Sequence, residues 1–186
     1  MKALVIDTET TGLIDNRSVA LDKLPEVIEY CGLLVDFAKK GRVLGSLDTL
    51  IRPRTDLGIA IGGRGDKTTT QITGLTSDDL KSAPAFAEVA DKIAHQIETS
   101  PVVIAQNASF DREVIDVEFE RLGRKIEWPR LICTVEQTIH LKGHRLNLGD
   151  LHELLTGERF PGAHRARVDT EALVRCCVAL FKRGDL

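Results

Sequence analysis

Aromatic side chains are scarce in this 186-residue chain: they make up 4% of it, with one tryptophan and one tyrosine. A broad base-stacking surface of the kind single-strand binders use therefore has too few platforms. Cysteine is also thin. Cys31, Cys133, Cys176 and Cys177 include no C-x-x-C pair, and two of them are adjacent. Neither a disulfide framework nor a zinc knuckle is expected, and all four are read as small apolar thiols. No apolar run approaches the roughly 20 residues that span a bilayer. Lys2 and a short apolar run before Asp7 make too small a core for a signal peptide, so a cytoplasmic location is expected. Nor is the charge lopsided: 25 basic against 28 acidic side chains leave −3, with no long-range pull on polyanions. Any nucleic-acid contact is then local and metal-assisted. What is present, 42% hydrophobic and 28% charged residues, is ordinary globular composition, at a length that suits a single domain over 1–186.

Hydrophobic patterning predicts an α/β domain. Residues 2–6 are a continuous apolar run, as in a strand buried on both faces. Segments 27–37 and 42–51 read as a hairpin turning at Lys39-Lys40-Gly41, and the polar stretch 14–25 reads as a surface excursion after the first strand. Phe86, Val89, Ala90, Ile93, Ala94 and Ile97 recur at helical spacing. A buried strand follows at 102–105, then a helix to about Leu122 with Ser109 as its cap, and a last strand at 131–133. Short helices near 134–141 and 147–155 precede a final helix at about 166–182. Three strands, helix, strand, helix, strand and further helices describe a mixed sheet. The glycine-rich Gly62-Gly63-Arg64-Gly65 run fails the phosphate-loop pattern, because Asp66 and not glycine precedes Lys67, and is read as a connection.

The informative residues are acids where apolar neighbours are expected. Asp7 and Glu9 end the first strand, where alternation puts them on one face about 6.5–7 Å apart. Carboxyl ends of strands are also where open α/β sheets bind ligands. Asp111 heads the stripe Ile115, Phe119 and Leu122, and Asp169 heads Ala172, Leu173, Cys176 and Leu180. Each acid has a plain structural reading beside the functional one: the strand pair begins a solvated loop, and Asp111 favours the helix dipole in a first turn. His164 stands five residues before Asp169, a poor same-face spacing, so it has to swing in from the preceding loop. Four convergent carboxylates need counter-charge, and no lysine or arginine occupies the matching apolar faces. Oxygen-only ligands suit Mg²⁺ or Mn²⁺, and two such ions about 3.5–4 Å apart are a known device for hydrolysing phosphodiesters.

With these residues in hand, the chain resembles the DEDDh 3′–5′ exonucleases, the DnaQ-like family typified by the proofreading ε subunit of bacterial DNA polymerase III. Three motifs carry the resemblance: Asp7-Thr8-Glu9-Thr10-Thr11-Gly12-Leu13, Asn107-Ala108-Ser109-Phe110-Asp111 and His164-Arg165-Ala166-Arg167-Val168-Asp169. Softer likeness lies at Val27-Ile28-Glu29, Ile72-Thr73-Gly74-Leu75-Thr76 and Leu146-Asn147-Leu148. The resemblance implies a ribonuclease-H-like fold, a mixed five-stranded sheet flanked by helices. It implies two divalent cations, Mg²⁺ or Mn²⁺, with Asp7 bridging both, Glu9 and Asp169 on the ion that carries the attacking water, and Asp111 on the other. His164 is implied as general base, and Thr10, Gly12, Leu13, Asn107 and Phe110 as substrate-binding. The implied reaction releases nucleoside 5′-monophosphates from single-stranded or frayed 3′ ends of DNA. Two departures stand out. Gln106 occupies a position where many relatives have histidine, and the chain stops at Leu186 without a polymerase-binding tail, so a stable polymerase partner is not expected.

An RNA 3′-end trimmer with the same chemistry is the alternative, and a catalytically silent nucleic-acid-binding module is the remaining class. His95, His140, His144 and His152 lack ligand spacing and are read as solvated or hydrogen-bonded. Lys142, Arg145, Arg159, Arg165 and Arg167 are read either as steering phosphates or as a solvated face.

Overall fold

Strand β1, Lys2–Thr10, runs through the middle of the sheet of this computed structural model, which describes residues 1–15, 18–57, 67–162 and 164–186. Its four apolar residues, Ala3 to Ile6, are fully buried, because both faces of the sheet are covered. Leu4 and Ile6 join one core cluster, Ala3 and Val5 the other. Strand β2, Val27–Asp36, pairs antiparallel with β1, and β3, Arg42–Leu50, pairs antiparallel with β2. Strands β4, Val102–Ala105, and β5, Arg130–Cys133, extend the sheet on the other side in parallel, giving the order β3-β2-β1-β4-β5. The β1–β4 ladder stops at Val5–Ile104, so the acid-bearing end of β1 runs on past β4. That overhang opens the crevice in which the acids meet.

Helices α1, Thr69–Thr73, and α2, Ser77–Leu80, follow the sheet's first half. Both were absent from the sequence reading, since four or five residues show no periodicity. Their signal lies in the capping boxes: Thr68 with Gln71, and Thr76 with Asp79. Helix α3, Phe86–Glu98, buries its whole anticipated stripe, and Phe86 meets Phe119 edge-on at 5.4 Å. Helix α4 spans Ala108–Arg121 on the same face of the sheet. Four-residue helices α5, Thr134–Gln137, and α6, Ile139–Lys142, lead to α7, Leu148–Thr156, and α8, Ala166–Arg183; α7 and α8 pack on the opposite face.

One expected cap is corrected. Helix α4 begins at Ala108, not after Ser109, and its N-cap is Asn107 in the left-handed region at φ 60°. The chain must reverse from β4 within two residues to tuck Ala108 under the sheet, and asparagine tolerates that conformation. The β2–β3 hairpin turns through Lys40 (φ 57°) and Gly41 (φ 77°), as expected. A Cβ on Gly41 would lie 2.4 Å from Val178 of α8, so the turn needs glycine for space as well as for φ. The 62–65 glycine run lies outside the described residues. Among the described residues, no helix is long and apolar enough to cross a membrane.

Candidate active site

Alternation along β1 sends Asp7 and Glu9 to the side of α8, and Thr8 to the side of α4. Helix α4 brings Asp111 (2% exposed) against β1, where the Thr8 hydroxyl donates to its Oδ1 at 2.9 Å. Helix α8 brings in Asp169 at its first turn, and the loop before it carries His164, as the five-residue spacing required. His164 is exposed and left-handed at φ 69°. Its backbone N–H donates to Asp169 Oδ2 at 2.8 Å, which holds that uncommon conformation. Ligand atoms of Glu9, His164 and Asp169 all lie within 4.8 Å of one another.

The acids raise one another's proton affinity. Asp7 is pushed well above the usual carboxylate range, first by burial and then by Asp111, Glu9, Asp169 and Glu29. Burial, then Asp169, Glu29 and Asp111, lift Glu9 to about 8, with Arg165 opposing. Burial lifts Asp111 to about 7 against the Thr8 hydrogen bond, and Asp169 is raised by burial against its bond from His164. Asp169 Oδ1 is buried with no hydrogen-bond partner among the described residues. A buried carboxylate oxygen is rarely left so, and each such group costs about 1–3 kcal/mol. An unpaired oxygen amid carboxylates that resist joint ionisation fits a hard divalent cation, and the all-oxygen donors with one imidazole suit Mg²⁺ or Mn²⁺.

These groups line a cleft of about 370 Å³ together with Thr10, Gly12, Leu13, Gln106 and Phe110. The Thr10 hydroxyl donates to the Gly12 carbonyl and accepts from the Gly12 N–H, which folds the chain back over the strand end. Leu13 is 44% exposed at the cleft. Asn107 is exposed and does not line the cleft; its contribution is the turn into α4. Gln106 is tied on both ends, accepting from the Thr134 hydroxyl and donating to the Leu146 carbonyl at 2.9 Å. A larger hollow, about 460 Å³, lies along α4 beside Trp128, where Arg112 pairs with Asp116 at 3.5 Å and Arg124 with Asp91 at 2.8 Å.

Sequence reasoning missed Ile72 and Thr73 as cleft walls, and Glu29 and Arg165 as neighbours of the acids. Arg165 lies off the apolar faces, at the start of α8, and pairs there with buried Glu29 at 2.9 Å. No periodicity links residues 136 apart; only the fold does. Three other flanking cations are engaged with carboxylates at the surface: Arg145 with Glu136, Arg159 with Glu153, and Arg167 with Asp48 and Glu171. His152 is buried and hydrogen-bonded, to the Glu158 carbonyl at 2.7 Å and from Arg175 at 2.9 Å.

An exonuclease family model, RNase_T, matches residues 4–177. The PolC-type DNA polymerase III of Bacillus cereus is 32% identical over 185 residues, covering 96% of this chain and 11% of that protein. Its counterpart in Listeria innocua is 28% identical over 183 residues, with the same coverage of 96% and 11%. The chain thus spans 11% of the length of these curated relatives. Among solved structures, exonuclease X in complex with 5′-overhanging duplex DNA superposes at a TM-score of 0.66 and 23% identity, covering 98% of this chain and 93% of that one. The nuclease domain of 3′hExo, a DEDDh family member bound to rAMP, superposes at 0.74 and 16% identity, covering 98% and 92%. These likenesses bear on the fold, which is ribonuclease-H-like: a mixed five-stranded sheet flanked by helices.

Proposed function

We propose, from the premise that this chain belongs to the exonuclease family, that it is a 3′–5′ exonuclease of the DEDDh type removing nucleoside 5′-monophosphates from single-stranded or frayed 3′ ends of DNA. The whole segment 1–186 acts as one catalytic domain. The observation that carries the reading is the unpaired Oδ1 of Asp169 among carboxylates from three elements, beside an exposed imidazole. Asp7, Glu9, Asp111 and Asp169 would hold two divalent cations, which would supply charge neutralisation at the scissile phosphate and a more acidic water. His164 accepts the proton of the attacking water at an imidazole nitrogen, as a positioned base. Its exposure lets that proton leave to solvent after each turnover.

Thr8 orients Asp111 through its hydroxyl. Leu13 and Phe110 offer apolar surface to the terminal base and sugar, while the Thr10–Gly12 turn presents backbone groups to the 3′ end. Proofreading and end-trimming both consume a frayed terminus, so both are served by this cleft. DNA is favoured over RNA because the relatives at about 30% identity are DNA polymerases. RNA remains the second reading, since one neighbour at 16% identity is a 3′-exonuclease recognising a histone mRNA stem-loop.

Turnover of 5′-labelled DNA and RNA oligomers, single-stranded and duplex, in Mn²⁺, Mg²⁺ or chelator is the direct test. Progressive shortening from the 3′ end of DNA, abolished by chelator, is expected. Shortening of RNA alone overturns the DNA assignment, and binding without turnover in either metal returns the silent-module class.

A further inference from the structure

Glu29 stands outside the three motifs, yet it is only 2% exposed and lies directly across the β1–β2 ladder from Glu9. A buried carboxylate needs partners, and the hydrogen bonds of Glu29 come from the start of α8. Arg165 donates to it from Nε at 3.1 and 3.3 Å and from Nη2 at 2.9 Å, and the Ala166 N–H donates to Oε2 at 3.0 Å. Helix α8 has no side-chain cap of its own, because Arg165 occupies the N-cap position. Glu29 therefore supplies, from a neighbouring strand, the acceptor and the negative charge that a helix start calls for.

The consequence falls on Asp169, one turn further along. Its Oδ2 is spent on the His164 N–H, and its Oδ1 has no hydrogen-bond partner among the described residues. With the Ala166 amide already satisfied by Glu29, that donor does not compete for the open oxygen. The three residues 164, 165 and 166 are thus fixed from two sides: by Glu29 in trans and by Asp169 in cis.

We propose that Glu29 is a positioning residue for the nuclease: its clamp on Arg165 and Ala166 sets where α8 begins, and so holds Asp169 and His164 in register with Glu9 for cation binding. The kinetic part rests on the exonuclease reading above; the cation-binding part does not.

The test compares wild-type protein with Glu29→Gln and Arg165→Gln. Mn²⁺ is titrated calorimetrically without nucleic acid, amide exchange at residues 164 and 166 is followed in metal-free protein, and kinetics are taken on 5′-labelled single-stranded DNA. Glu29→Gln is expected to raise the Mn²⁺ dissociation constant about tenfold, to lower kcat about 10–100-fold with KM nearly unchanged, and to speed exchange at both amides. Arg165→Gln, on a half-exposed side chain, keeps the Ala166 cap and is expected to weaken Mn²⁺ binding by about threefold, a fraction of that outer-shell effect. A folded Glu29→Gln protein with unchanged Mn²⁺ affinity and exchange overturns the proposal, as does a loss confined to KM. Should Glu29→Gln not fold, Arg165→Gln decides: unchanged Mn²⁺ affinity overturns the clamp, and weakened affinity upholds it. A wild-type chain that binds Mn²⁺ and cuts no nucleic acid defeats the exonuclease reading and leaves the binding comparison intact.

Discussion

Asp169 combines two tasks in one carboxylate, with Oδ2 fixing the His164 backbone and Oδ1 buried without a donor among the described residues. Asp169→Asn keeps an acceptor for the His164 N–H but replaces an anionic ligand by a neutral one. Single-turnover cleavage in Mn²⁺ is expected to fall by at least about 10³-fold, as a lost electrostatic partner at the reacting centre does, while the far-UV spectrum is unchanged. His164→Ala removes an exposed imidazole and no packing. Its expected loss is about 10²–10⁴-fold in single-turnover rate, the usual worth of a positioned base. A His164→Ala protein that retained both rate and pH profile would remove the general-base role.

At the scale of elements, α4 does more than deliver Asp111. Near its other end Arg121 is almost wholly buried and donates to the carbonyls of Leu21, Leu24 and Pro25, while Glu118 accepts from the Val27 N–H and pairs with Arg121 at 3.2 Å. The helix thereby ties down the excursion between the Gly12–Leu13 turn and β2, a stretch whose composition promised only a polar loop. Arg121→Ala leaves Glu118 as a buried charge without its cation and takes the guanidinium donors from three carbonyls. A loss of about 3–5 kcal/mol in unfolding free energy is expected, read from urea denaturation at constant m-value. Arg121→Lys, which keeps the charge and loses the fork, is expected to recover less than half of it.

Over the whole molecule, the acid cluster links stability to pH and to metal. Without cations, folded Glu9 holds its proton up to about pH 8 and Asp111 up to about pH 7, whereas the unfolded chain releases both near 4. Between those limits the native state binds more protons, so stability is greatest at the acid end and falls as pH rises through the window. In chelator, Tm is expected to drop by roughly 5–10 °C from pH 5.5 to pH 8, and millimolar Mn²⁺ is expected to restore it, most strongly at pH 8. Binding must also displace the retained protons. Calorimetry in buffers of differing ionisation enthalpy is expected to show about one proton released per Mn²⁺ at pH 7, falling toward zero by pH 9.

Asp7 and Glu9 could be placed on one face from the sequence because a strand alternates with period 2, and Asp111 and Asp169 could be set over the core because a helix repeats every 3.6 residues. The 86–97 stripe, the hairpin turn at Gly41 and the order of strands and helices follow from the same local rules. Local rules end where partners are distant in the chain. The Thr8–Asp111 bond spans 103 residues and the Glu29–Arg165 pair 136, and neither residue type nor spacing announces them. The left-handed Asn107, which supplanted Ser109 as the cap, likewise answers to the angle between β4 and α4 and not to capping propensity. Sequence alone determined that these acids face the core or a strand end, since periodicity is a property of the backbone. The tertiary structure decided which oxygen is left open and which residue keeps it so, because hydrogen-bond partners across a sheet are settled only when the layers pack.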